Sequence, residues 1–182
     1  MRARLILAAS TAALALAGSV FAAVPASAGT GVTFTVNAGA LTITEPAGPA
    51  SLGSVTSTPA GTTTSGSLGS TTINDARGSL AGWSLSVAST DFTTSAPVHT
   101  IAAGQAVMYL PSPATVSAGV AVVTNTHIAA GTGLALGNSA AAFMTAVTTG
   151  SNTVTYSPTI QVTLASTVVA GTYTGTVTQT VA

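Results

Sequence analysis

The sequence contains no cysteine and no lysine, and charged residues make up only 3% of its 182 residues. The absence of cysteine excludes disulfide bonds, cysteine-ligated zinc and thiol catalysis. The absence of lysine excludes lysine-based isopeptide cross-links, and the abundance of Ala, Gly, Thr and Pro is typical of a high-GC, actinobacterial-type composition. The charged residues after position 28 are Glu45, Asp75, Arg77 and Asp91. So little charge excludes a basic surface for nucleic acids and a polybasic patch for anionic membranes.

Residues 1–28 have the three parts of a secretory signal peptide. Two arginines supply a positive start, Leu5–Val20 is apolar, and the small residues Ala26–Ala28 match a signal-peptidase site. A membrane-spanning helix is the alternative, but the apolar run is short, rich in Ala and followed by the cleavage pattern. We therefore expect a secreted, extracellular protein whose mature chain, residues 29–182, has no transmembrane anchor.

Apolar and polar residues alternate along several short runs of the mature chain. In "VTFTV", Val32, Phe34 and Val36 fall on one face of a strand and two threonines on the other. The same alternation recurs in "LTITE", "WSLSV", "TIQVTLA" and "TYTGTVTQTV", at residues 41–45, 83–87, 159–165 and 172–181. This pattern predicts a single all-β domain, an antiparallel β-sandwich of the immunoglobulin-like or Greek-key type with about eight to ten short strands.

Clusters of Gly, Pro, Ser and Asn predict the turns between these strands. The predicted turns are Glu45–Ser51, Ser57–Ser67, Leu110–Pro113, Ala129–Gly133 and Thr149–Asn152. One segment, Ser139–Val147, is rich in Ala and also contains Phe and Met, which predicts a short helix.

Few residues are able to support catalysis. His99 and Asp91 are a conceivable base with its orienting acid, or metal ligands together with His127. Isolated histidines in Thr-rich strands are, however, more often surface residues or hydrogen-bonded core residues. No Gly-x-Ser-x-Gly nucleophile motif occurs either. We therefore predict a non-enzymatic protein without catalytic residues, bound metal or cofactor.

The rarest residues of the chain lie together in "NDARGSLAGWSLSV". Arg77 is the only arginine after the signal peptide, and Trp83 is the only tryptophan. In a strand, Trp83 and Leu85 share one face, which predicts that both point into the core. Asp75 and Arg77 share a face of the preceding strand, and Gly78–Gly82 predicts a hairpin loop that brings Arg77 near Trp83.

Two interpretations of this segment follow. In the first, Arg77 pairs with Asp75 or lies over the indole of Trp83, and the segment is a structural clasp that fixes the hairpin. In the second, the segment is a ligand-contacting patch, with an aromatic face for a sugar ring and an arginine for a carboxylate.

The segment resembles the first motif of the WxL domain family of Gram-positive cell-surface proteins, an Asp-x-Arg-Gly turn that leads into Trp-x-Leu. The matching residues are Asp75, Arg77, Gly78, Gly82, Trp83 and Leu85. The resemblance implies a secreted β-sandwich that associates non-covalently with the cell wall, through peptidoglycan or another wall glycan, often beside other surface proteins. It also implies that these residues, apart from Gly82, are the candidate binding residues.

The chain departs from the family at the second Trp-x-Leu motif near the C-terminus. In the corresponding strand, "TIQVTLA", Val162 stands in place of the tryptophan while Leu164 is kept. If wall binding needs both tryptophans, the resemblance implies weak or absent wall binding. A buried Val162 would still preserve the fold.

The alternative function is that of a structural subunit in a non-covalent, pilin-like surface fibre or layer. The ending "AGTYTGTVTQTV" (residues 170–181) resembles the last strand of several secreted pilin-like sandwiches. Edge strands usually carry lysine or other charges that prevent pairing with a second molecule. Because this chain has almost no charge, we expect that it can associate with itself through its edge strands.

Overall fold

The computed structural model describes residues 29–129 and 132–182, so the predicted signal peptide lies outside the described residues. The strands, in chain order, are β1 (Leu41–Thr44), β2 (Thr62–Ser67), β3 (Thr71–Asp75), β4 (Trp83–Ser89), β5 (Phe92–Thr93), β6 (Thr100–Ile101), β7 (Val107–Leu110), β8 (Thr115–Thr124), β9 (Leu134–Ala135), β10 (Ala141–Tyr156), β11 (Thr159–Leu164) and β12 (Val177–Val181). The helices are α1 (Ala103–Ala106) and α2 (Thr126–Ala129). Neither helix has the length or the hydropathy needed to span a membrane, and no other helix occurs among the described residues.

The prediction of an all-β fold is confirmed, because the strands pair antiparallel throughout. The largest sheet is built on the long strand β10. Thr145 and Ala146 of β10 pair with β4 and with β8, and Asn152 to Thr155 pair with β3 and with β8. Since a strand has only two edges, β3 and β4 lie on the same edge of β10, and β8 lies on the other.

β3 and β4 are therefore not the two arms of a hairpin. Asp75 at the end of β3 pairs with Asn152, and Trp83 at the start of β4 pairs with Ala146. The two strands follow one another in the same direction along β10, and residues 76–82 leave its edge as a loop. The predicted hairpin is wrong, since both strands pair with the distant strand β10 and not with each other.

The sheet curls into a nearly closed, barrel-like shape. β1 adds to β3 and β12 adds to β4, so these two strands form the outer positions of the sheet. Gln179 of β12 nevertheless hydrogen-bonds Glu45, which directly follows β1. β3, the neighbour of β1, and β4, the neighbour of β12, pair with opposite ends of β10. β10 must therefore bend for the contact between Gln179 and Glu45 to form.

A second sheet has the strand order β2-β11-β7-β9. Its central strand β11 follows the predicted alternation, with Ile160, Val162 and Leu164 buried. In β4, the predicted inward residues Trp83, Leu85 and Val87 are buried as well. The core formed by the two sheets therefore includes Val162, which preserves the fold as the sequence predicted.

Three sequence predictions of local structure are wrong. Ser139–Val147 is not a helix, because Ala141 onward belongs to β10, where pairing with β4 and β8 overrides the helix propensity of Ala. Thr62–Ser67, inside a predicted turn, forms β2 against β11. Thr149–Asn152 lies inside β10, although the register shifts there and Gly150 has φ +71°. The predicted turn Ala129–Gly133 includes residues 130–131, outside the described residues.

The chain divides into two units, Met1–Thr35 and Val36–Ala182. The predicted strand 32–36 crosses this division and forms neither strand nor helix. Its apolar side chains Val32, Phe34 and Val36 are 84%, 86% and 78% exposed. At the other end of the chain, the predicted strand 172–181 is regular only in β12. The prediction for 32–36 is wrong, because in the described part of the chain no strand pairing accompanies the alternating pattern.

Candidate functional site

Asp75 and Arg77 form a two-pronged ion pair at the end of β3. The Nε of Arg77 donates to Oδ1 of Asp75 at 2.9 Å, and Nη2 donates to Oδ2 at 3.0 Å. The backbone N–H of Arg77 also donates to Oδ1, at 3.1 Å. Asp75 is buried, whereas the side chain of Arg77 remains 27% exposed. This planar, bidentate geometry is the stronger form of an arginine–carboxylate interaction.

Arg77 also closes the loop that follows it. Its Nη2 donates to the carbonyl oxygens of Gly82 at 2.9 Å and Ala81 at 3.3 Å, so one side chain ties the two ends of the loop together. The loop is also held to β10, since the N–H of Gly150 donates to the carbonyl of Ser79 at 3.0 Å. The loop therefore takes a fixed path across the edge of β10.

Asn152 of β10 links this ion pair to the tryptophan. Its Nδ2 lies 3.5 Å from Oδ2 of Asp75, and its Oδ1 accepts from the indole Nε1 of Trp83 at 3.4 Å. Trp83 is only 3% exposed, and Asn152 is buried with it. We call the group Asp75, Arg77, Trp83 and Asn152 the clasp. Its polar members hydrogen-bond one another, with Asp75, Trp83 and Asn152 buried and the Arg77 side chain partly exposed.

Electrostatics within the clasp favour the ionised pair. The hydrogen bond from the Arg77 side chain lowers the pKa of Asp75 below its ordinary value, against the opposing effect of burial. Hydrogen bonding to Asp75 likewise raises the pKa of Arg77. The carboxylate therefore stays charged at neutral pH and is compensated by a single guanidinium.

The structure places the predicted site residues together, in the arrangement of a structural clasp. Leu85 is buried in the core, and Gly78 has φ +64°, the left-handed conformation that favours glycine. Within the described part of the chain, the aromatic contacts are Tyr109–Phe143 and His127–Phe143. Arg77 thus pairs with Asp75, as one of the two predicted arrangements had it, and it does not stack on Trp83.

The histidine candidates lie apart from one another. Asp91 accepts a hydrogen bond from the N–H of Ala103 at 2.9 Å, and His127 stacks on Phe143 at a centroid distance of 5.7 Å. In the described ranges, neither a hydrogen bond nor an ion pair joins Asp91 to His99. The same ranges contain no group of three metal-binding side chains.

Two buried tyrosines form a polar cluster that the sequence analysis missed. The hydroxyls of Tyr109 and Tyr156 both donate to Oε1 of Gln179, the latter at 2.6 Å, and Gln179 in turn donates to Glu45. Burial raises the pKa of both tyrosines well above the ordinary value. The alternation of "VMYL" in β7 was the available signal, since it places Tyr109 on the inward face with Val107. The cluster joins β7, β10 and β12 inside the fold.

A groove with both polar and apolar lining residues lies beside this cluster. It consists of two adjoining cavities of about 300 and 630 Å³, which share residues such as Leu52 and Phe92. Val162, the residue in place of the second motif tryptophan, lines the larger cavity, and Glu45 is the charged residue that lines the smaller one. The groove has the size of a ligand site.

β8 is an edge strand with an apolar outer face. Among the described residues, β8 pairs with β10 and with no other strand, so its opposite edge, which we call the β8 edge, is open. The exposed face carries Val120, Val122 and, on the neighbouring strand β10, Val147, which are 61%, 67% and 73% exposed. Val147 is the direct cross-strand partner of Val122.

No protein-family model, curated protein or solved structure matches the chain. The resemblance to the WxL domain family therefore depends on the motif residues alone.

Proposed function

We propose that the protein is a secreted, non-enzymatic structural protein of the cell surface that assembles with copies of itself, without covalent bonds, into a fibre or layer. The observation that carries this proposal is the β8 edge. Among the described residues it is open along β8, Thr115–Thr124, next to a face of exposed valines.

The composition of β8 supports pairing between molecules. An open edge presents unpaired N–H and C=O groups, and most proteins protect such an edge with charges, proline or a covering segment. The sequence of β8, "TVSAGVAVVT", contains neither charge nor proline. Long, apolar, uncharged edges of this kind are the ones that pair with another strand.

The rest of the surface offers little electrostatic resistance to association. The charged residues after position 28 are Glu45, Asp75, Arg77 and Asp91, so three negative charges and one positive charge leave a formal net charge of −2. Repulsion between copies is correspondingly small, and physiological salt screens most of it.

Two matched lysine variants test the proposal. Val122→Lys places a charge on the edge strand, whereas Val147→Lys places the same charge on the same exposed face but on the central strand β10. In multi-angle light scattering, we expect the mass of the wild-type chain from Gly29 to grow with concentration. Val122→Lys should remain monomeric, and Val147→Lys should still assemble because the edge remains free. A wild-type chain that stays monomeric at millimolar concentration refutes the proposal.

Non-covalent association with a wall glycan is the second candidate function, favoured by the resemblance of the motif and by the partly exposed side chain of Arg77. The burial of Trp83 leaves Arg77 as the motif residue available for such a contact. Cosedimentation with purified peptidoglycan at low and moderate salt tests it. Protein that remains in the supernatant at both salt concentrations excludes this function.

A further inference from the structure

We propose that residues 31–37 of one copy, the N-terminal segment, add as a further strand to the β8 edge of a second copy. This inference rests on the proposed function and names the contact through which the copies assemble.

The N-terminal segment has the sequence pattern of a strand but forms no strand among the described residues. Val32, Phe34 and Val36 alternate with threonines, and all three apolar side chains are strongly exposed. Side chains in such alternation lie on one face once the backbone is paired. The segment also has no charge or proline that would oppose addition to a sheet.

The β8 edge offers a matching acceptor. The inward side chains of β8, Val116, Ala121 and Val123, pack against the core but remain only partly buried. A strand added beside β8 with Val32, Phe34 and Val36 facing inward extends this apolar layer by one strand. Its threonines then continue the outer face of the sheet. Extended peptides commonly bind in this way, through main-chain hydrogen bonds to an exposed edge and side chains that cover apolar positions.

The geometry of β1 assigns the segment to a different copy. The N–H of Gly39 donates to the carbonyl of Ala76 at 2.8 Å, and the N–H of Ala76 donates to that of Ala40 at 2.9 Å, so the chain is fixed beside β3 from Gly39 onward. The three residue steps from Val36 to Gly39 reach at most about 11 Å. A strand beyond β8 lies four strand spacings from β1, across β3 and β10, or about 19 Å along the sheet. Val36 therefore does not reach its own β8 edge along the sheet, so the full segment can pair there only when another copy supplies it.

The resulting contact is heterologous, because each copy gives one segment and receives another at a different surface. Such contacts do not close on themselves unless a rotation forms a ring, so they generate open chains of copies. This explains how a single strand addition produces a fibre and not only a dimer.

Two substitutions of one residue in the segment test the inference. Phe34→Lys puts a charge on the face that would turn inward, and Phe34→Leu keeps an apolar side chain there. Phe34 is exposed, so folding should be unaffected, as far-UV circular dichroism will check. We expect Phe34→Lys to be monomeric in light scattering and Phe34→Leu to assemble like the wild type.

A second measurement isolates the pairing itself. A dye-labelled peptide of residues 29–38 should bind the monomeric Phe34→Lys chain in fluorescence anisotropy. Adding Val122→Lys to that chain should weaken this binding at least tenfold. If Val122→Lys abolishes assembly while Phe34→Lys assembles normally, the N-terminal segment is not the donor strand, yet the proposed function stands. A wild-type chain that neither assembles nor binds the peptide overturns both proposals.

Discussion

Replacement of Trp83 by alanine measures how much of the fold depends on the clasp. The indole is 3% exposed and lies among the core side chains of β4 and β10. Removing a buried aromatic costs about 3–5 kcal/mol, because transfer energy is lost and a cavity remains. The indole N–H also donates to Oδ1 of Asn152, which loses this donor in the variant. For a domain of this size, each kcal/mol lowers the Tm by about 2–4 °C, so we expect a fall of about 6–20 °C.

Urea unfolding followed by far-UV circular dichroism is the suitable assay, since the variant lacks the only tryptophan. Trp83→Phe is the matched control. It keeps an aromatic ring in the core but loses the hydrogen bond to Asn152, so its loss of stability should be clearly smaller. In the wild type, Trp83 fluorescence should be blue-shifted and resistant to acrylamide. An unchanged urea midpoint for Trp83→Ala, together with a red-shifted and quenchable wild-type emission, would refute the burial and reopen the ligand-binding interpretation.

The remaining predictions concern the loop and pH. Gly82→Ala should be more destabilising than Gly78→Ala in urea unfolding. A Cβ at Gly82 would overlap the Ala146 carbonyl oxygen, whereas at Gly78 only the left-handed φ opposes alanine. Equal urea midpoints for the two variants would contradict this. The pKa of Asp75 is lowered in the folded state, so its pairing with Arg77 stabilises the fold at pH values above the unfolded pKa of about 3.9. This contribution is lost as the pH falls through the lower pKa of the folded state. Asp75→Asn should therefore lower the urea midpoint at pH 7, and the difference from the wild type should shrink below about pH 4. The buried tyrosines hold their protons more tightly in the folded state, so stability should decline as the pH rises above about 10, and replacing Tyr109 with Phe should reduce that decline.

Local alternation was sufficient to predict several strands and their buried faces. β1, β4 and β11 lie where period-2 patterns predicted them, and Trp83 and Leu85 point into the core as expected. In these strands one face is buried and the other is not, so the alternation of apolar and polar residues indicates which side chains are buried. The pairing of Asp75 with Arg77 was also predictable, because residues two apart in a strand share a face.

Long-range pairing was not predictable from the same pattern. Glycines at both ends of the segment Gly78–Gly82 are consistent with a hairpin loop. They are equally consistent with a loop between two strands that pair, one after the other, along the same edge of a third strand. Which of the two arrangements forms depends on pairing with β10, whose residues 141–156 are distant in sequence. Asn152, which completes the clasp, lies 77 positions from Asp75 and carries no local signal of its role. The same limit applies to Gln179, which joins Tyr109 and Tyr156 from the far end of the chain.

The scarcity of charge connects the clasp to the proposed assembly. Asp75 and Arg77 neutralise each other, Asp91 accepts from the N–H of Ala103, and Glu45 accepts from Gln179. Every charged side chain in the described part of the chain thus has a hydrogen-bond partner in the fold, and none lies in β8. A surface of Thr, Ser, Ala and Val keeps the chain hydrated without opposing contact between copies. The scarcity of charge that makes Arg77 conspicuous in the sequence therefore also leaves the β8 edge without electrostatic protection.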